Sequence, residues 1–97
     1  MNPKVSEKLF NKPLIFDCDF EGSFDSLTKR EWDVLLLVAD DVPNENIADN
    51  LSLALKSVKT YKTRIAIKLS LLGRDQLARF ARKNKDWLQE YYSHYFL

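Results

Sequence analysis

Between residues 56 and 68 the chain carries Lys56, Lys59, Lys62, Arg64 and Lys68 and no carboxylate. Cations grouped in this way without a counter-charge suit one kind of chemistry, the neutralisation of phosphates along a nucleic-acid backbone. The plain alternative is a solvated helix face. The total charge of +1 conceals the grouping, because the two halves of the chain oppose each other. Residues 1–50 hold five Lys/Arg against eleven Asp/Glu, a net of −6, while residues 51–97 hold ten against three, a net of +7. Catalytic chemistry has no comparable basis. Cys18 and His94 are the only cysteine and histidine, far apart in sequence, so they offer neither a disulfide, a zinc ligand set nor a thiol–imidazole pair. No Ser/His/Asp arrangement and no glycine-rich phosphate loop is present. The expectation is a binding protein with no enzymatic activity, metal or cofactor.

The elements that must position these cations are helical. Two glycines and three prolines in 97 residues, with long stretches free of both after Pro43, favour an all-α chain. Its length suits one small domain with appendages rather than two. Thr28 followed by Glu31 has the spacing of a capping box and predicts a helix start. Val34, Leu35, Val38 and Val42 then share one face, with Trp32, Leu36 and Ala39 as a second apolar stripe beside it. That second stripe needs a cover, either the phenylalanines of the preceding residues or a partner subunit. Pro43 ends this helix and opens a second over about residues 44–51, with Ile47, Ala48 and Leu51 facing inward. Residues 52–56 turn into a third helix, on which Val58, Tyr61, Ile65 and Leu69 form a buried face and Lys59, Thr60 and Thr63 the opposite one. This is helix-turn-helix order, and such a third helix can lie in a major groove.

Gly73 is expected to break the third helix and Asp75 to cap a fourth. Beyond it, Leu77, Ala81, Asn84, Leu88, Tyr91 and Tyr95 recur at alternating spacings of four and three, flanked by Phe80 and Trp87. One long projecting helix would produce this pattern, as would a break near residues 83–85 with Asp86 capping a fifth helix. The seam of Leu77, Phe80, Ala81, Asn84, Trp87, Leu88 and Tyr91 is a candidate dimer or partner contact, or else it packs on the N-terminal arm. That arm, residues 1–25, has scattered apolar residues without helical period, and its LIFDCDF segment reads as a short strand or extended strap. Asp17 and Asp19 suggest a receiver-type phosphoacceptor pocket, but the arm is too short to build one. The resulting organisation is an arm over 1–25, a helix-turn-helix domain over 26–83 and an aromatic helical extension over 84–97. No apolar run approaches the ~20 residues that span a bilayer, and no basic region precedes an apolar one at the N-terminus, so a cytoplasmic protein is expected.

Thr28, residues 31–35, Ile47-Ala48, Ser57-Val58-Lys59 and Lys68-Leu69 together give residues 28–82 a pattern that resembles the LuxR-type helix-turn-helix of bacterial transcription regulators. A likeness to the last DNA-binding region of bacterial sigma factors fits the Ser57-Val58-Lys59 context less well. What the LuxR-type resemblance implies is a four-helix domain, here with an arm and a lengthened or extra last helix, that binds double-stranded DNA in a bacterial, nucleoid-associated setting. It implies base readout by Lys59, Thr60 and Thr63, phosphate contacts from Lys56, Ser57, Tyr61, Lys62, Arg64 and Lys68, and a fourth helix that often forms a two-fold contact. A homodimer, RNA polymerase or another regulator are the implied protein partners. The chain departs from the family pattern at Pro43, Asn46, Ala54, Leu55 and Ile67. Ala54 stands where a capping serine is common, and Leu55 and Ile67 replace residues that are usually polar. These departures sustain an alternative, an interaction protein that pairs with a full-length regulator without reading DNA.

Overall fold

Thr28 and Glu31 start the first helix as their spacing predicts. In the computed structural model, which describes residues 24–97, the Thr28 hydroxyl accepts from the Glu31 N–H at 3.1 Å and the Glu31 carboxylate accepts from the Thr28 N–H at 2.8 Å. Behind this capping box runs α1 (Lys29–Ala39), followed by α2 (Asn44–Leu51), α3 (Leu55–Lys68), α4 (Gln76–Lys83) and α5 (Lys85–Phe96). A short 3-10 turn, Phe24–Ser26, precedes them, and the described residues contain no strand. The chain is all-α. The expected arm lies outside the described residues except for Phe24 and Asp25, and with it lie the LIFDCDF segment, Asp17, Asp19 and Cys18.

The first three helices end in one way. Asp41, Ser52 and Ser70 take left-handed backbone with φ of 59°, 56° and 57°. The next N–H then reaches back to the carbonyl five residues before it: Val42 to Leu37, Leu53 to Ala48 and Leu71 to Ala66, at 2.8–3.0 Å. These are Schellman endings, which satisfy carbonyls that would otherwise be orphaned, built without glycine. The break assigned to Gly73 therefore falls earlier, at Ser70. Gly73 has no positive φ, and its N–H donates to the Gln76 side chain at 3.2 Å. Asp75 also departs from expectation: it precedes α4 in left-handed backbone with φ 60°, and its carboxylate makes no capping hydrogen bond.

Of the two C-terminal alternatives, the chain takes the break. Asn84 separates α4 from α5, and Asp86 lies in the first turn of α5. The Asn84 backbone and side-chain N–H groups both donate to the Phe80 carbonyl, at 3.1 and 2.9 Å, which holds the joint from inside the core. Helix α5 folds back on α1 instead of projecting. Its Tyr91 ring stacks on Trp32 with centroids 4.9 Å apart and planes 13° apart. Phe24 sits among Trp32, Trp87 and Tyr91 at 5.7, 5.1 and 5.7 Å. Because each such ring buries roughly 150–250 Å² at about 25 cal/mol per Å², this cluster is a principal part of the core.

The cover required by the Trp32 stripe is thus supplied mainly by α5. Phe24 is the only one of the arm's phenylalanines within the described residues. One apolar cluster runs from Phe24 through Val34, Leu35, Ile47, Val58, Ile65 and Leu69 to Trp87, Leu88 and Tyr91. Polar ties reinforce the seam. Lys29 donates to the Tyr92 hydroxyl at 3.0 Å, which donates to Asp33 at 2.8 Å, and Lys85 pairs with Asp40. These contacts, the hydrogen bond first in each case, raise the pKa values of Lys29 and Lys85 above the ordinary lysine range.

Candidate nucleic-acid interface

Helix α3 is held from behind by Val58, Ile65 and Leu69, all fully buried, and presents the opposite side outward. Lys56, Lys59, Thr60, Thr63, Arg64 and Ile67 are exposed there, so the three residues expected to read bases share one open face with two expected phosphate contacts. No acidic side chain occurs on the helix. Arg64 is held over the Tyr61 ring at 6.0 Å, which steers the guanidinium along the helix flank. Ser57 and Tyr61 are half-buried at that flank.

Local hydrogen bonds define what the threonines can offer. Thr60 donates to the Lys56 carbonyl and Thr63 to the Lys59 carbonyl, each at 3.1 Å. With the hydroxyl hydrogens engaged, each outward oxygen is an acceptor beside a methyl group. An acceptor recognises the exocyclic amine of adenine or cytosine, and a methyl fits thymine. Lys59, with no partner among the described residues, is the donor of the set.

Two expected phosphate contacts are committed elsewhere. The Lys68 ammonium lies 2.7 Å from the Glu31 carboxylate and 2.9 Å from the Ser26 carbonyl, because the last turn of α3 meets the first turn of α1. It ties two helices, one turn beyond Arg64. Burial pushes the Glu31 carboxyl up, but hydrogen bonds from Lys68 and the Thr28 N–H, together with the Lys68 charge, outweigh it and leave Glu31 below the ordinary carboxylate value. Lys62, half-buried, donates to Asn44 at 3.0 Å and fastens α3 to the start of α2.

The candidate partner seam fares differently. Leu77, Phe80, Ala81, Asn84, Trp87, Leu88 and Tyr91 are each at most 7% exposed within the single chain, so none is on hand for a second subunit unless this core opens. The heptad-like spacing is real, but a helix that breaks at Asn84 and folds back spends it internally. Of the departures from the family pattern, Ala54 occupies the N-cap of α3 without a side-chain bond, and Leu55 and Ile67 are 39% and 58% exposed. Helical register places Ile67 four residues beyond Thr63 and seven beyond Thr60, on the exposed face itself. Among the described residues no helix is long and apolar enough to cross a membrane.

Two short helices joined by a tight turn, the second presenting an acid-free polar face, define a helix-turn-helix domain. The chain belongs to the luxR family of bacterial regulatory proteins, whose family model matches residues 25–81. It is similar to the transcriptional regulatory protein LiaR of Bacillus subtilis, 42% identical over 60 residues that cover 62% of this chain and 28% of that protein. It is also similar to the oxygen regulatory protein NreC of Staphylococcus haemolyticus, 36% identical over 69 residues covering 71% of this chain and 32% of that one. The NreC of a Staphylococcus epidermidis strain is 39% identical over 62 residues, 64% of this chain and 28% of that protein. The chain therefore spans about three tenths of the length of these relatives. No solved structure matches it.

Proposed function

We propose that this chain binds double-stranded DNA sequence-specifically as the DNA-reading part of a bacterial transcription regulator, with α3 laid in the major groove. One observation carries the reading: the exposed face of α3 brings Lys59, Thr60 and Thr63 together between Lys56 and Arg64, with no acid on the helix and with Val58 and Ile65 buried on its reverse side. Membership of the luxR family and similarity to named regulators support the same reading.

In this account Lys59 donates to a guanine edge while Thr60 and Thr63 accept from base amines or pack on thymine. Lys56 and Arg64 hold phosphates on either side and set the register. Ser57 and Tyr61 line the flank. Lys62 and Lys68, fastened to Asn44 and Glu31, keep α3 seated on α1 and α2. The helices that position this face are packed by buried side chains, so its backbone is in place before DNA arrives, which limits the ordering cost of binding.

The test is fluorescence anisotropy of a mixed-sequence duplex titrated with the parent and with Lys59→Glu/Arg64→Glu at several salt concentrations. Salt-sensitive binding by the parent that disappears in the double variant is expected. Absence of binding by the parent at low salt would overturn the reading.

A further inference from the structure

Away from α3 lies a second cationic surface that the proposed reading leaves unused. Arg74, Arg79 and Arg82, together with Asp75 and Ala78, line an open depression of about 460 Å³ along the start and outer face of α4. A neighbouring groove of about 310 Å³ is lined by Lys62, Thr63 and Ala66 of α3, by the connecting loop, and again by Asp75 and Ala78. The two depressions share these last residues, so a continuous track leads from the flank of α3, at Lys62 and Thr63, to the three arginines.

From this continuity we propose that Arg74 and Arg79, with Arg82 beside them, hold DNA phosphates outside the stretch read by α3, extending the footprint of a single chain along the backbone. The inference rests on the DNA-binding reading given above.

Three guanidinium groups around one depression repel each other, and Asp75 offsets only part of that charge. Among the described residues neither Arg74 nor Arg79 has a carboxylate within ion-pair distance. Arg82 reaches Asp41 at 3.6 Å, but the side chains are 46% and 77% exposed, so water screens the pair and stability does not account for the cluster. A planar guanidinium matches the geometry of a phosphate and binds it through two parallel N–H groups. The location also fits. With α3 in a groove about 12 Å wide, a surface that leads from its Lys62–Thr63 flank by way of Asp75 and Ala78 turns toward the bordering strand. The apolar face of α4 (Leu77, Phe80, Ala81) is packed inward, which leaves this arginine face as the surface the helix offers.

The experiment compares the full chain, Arg74→Gln/Arg79→Gln and Lys59→Ala on duplexes of about one and about two helical turns. Loss of two phosphate contacts predicts that the arginine variant binds the longer duplex about tenfold more weakly, with its log–log salt slope flatter by roughly 1.8. On the shorter duplex, which lacks most flanking phosphates, the arginine variant and the parent should converge, and Arg74→Lys/Arg79→Lys should recover most of the slope. If Lys59→Ala weakens binding while the arginine variant matches the parent on both duplexes, the inference is overturned and the DNA-binding reading stands. If the parent binds neither duplex, both fail together.

Discussion

The ammonium of Lys68, at the last turn of α3, lies 2.7 Å from the carboxylate of Glu31, in the first turn of α1. Glu31 is only 3% exposed and at the same time completes the capping box with Thr28. One carboxylate therefore starts the first helix and anchors the end of the third. That coupling makes Lys68, whose place in a cationic run suggests a phosphate contact, a clamp between α1 and α3. Lys68→Ala is expected to lower stability by about 1–2 kcal/mol, since it leaves a buried carboxylate with one partner fewer. It should leave the salt slope of DNA binding unchanged. Urea denaturation beside salt-dependent anisotropy separates the two effects, and a reduced slope would return Lys68 to the phosphate contacts.

Acid should expose the same link. Because the folded-state pKa of Glu31 is below its ordinary value of 4.5, its contribution to stability is complete above that value and is lost as pH falls through the lower folded value. Glu31→Gln is expected to cost about 1–3 kcal/mol at neutral pH. The parent and the variant should draw closer in stability as the pH falls below that ordinary value. Equal differences at both pH values would show that the charge of Glu31 carries no weight.

Trp32 gives the measure of what α5 contributes. It is 1% exposed, stacked on Tyr91 and flanked by Phe24 and Phe96. Tyr91→Ala is expected to destabilise the fold by about 3–5 kcal/mol, a core effect. A change below about 1 kcal/mol in chemical denaturation would mean that α5 is a loose extension.

At the head of α3, Ala54 has the extended backbone of an N-cap, φ −71° and ψ 150°, but no oxygen to offer. Ala54→Ser supplies one without moving the chain. A gain of about 0.5–2 kcal/mol is expected in thermal or urea unfolding. No gain would show that the first-turn N–H groups are already satisfied by water.

The base readout proposed for Thr63 can be isolated from its packing. Its hydroxyl hydrogen is engaged by the Lys59 carbonyl, so Thr63→Val keeps the shape and a methyl while removing the outward acceptor. Loss of preference at one base position, worth about 1–3 kcal/mol against the wrong base, is expected with stability nearly unchanged. An unaltered preference in a base-by-base substitution series would assign Thr63 to shape alone.

The sequence by itself determined the local chemistry. Thr28 and Glu31 specify a helix start because the capping box needs residues only three apart, and Val34, Leu35 and Val38 specify an inward face because helical period is a local property. The luxR-type pattern and the open face of Lys59, Thr60 and Thr63 were legible for the same reason, as was the grouping of cations on α3. Tertiary structure decided everything that depends on distant partners. It turned Lys68 onto Glu31 and Lys62 onto Asn44, contacts separated by 37 and 18 residues. The apolar seam of α4 and α5 was spent on Trp32 and Phe24 within the same chain, although a dimer would need the same spacing. The ends of the first two helices were legible, but the left-handed backbone at Asp41, Ser52 and Ser70 was not, because at a residue other than glycine it is imposed by the packing on either side. Periodicity shows that a face is apolar; only the folded chain shows what covers it.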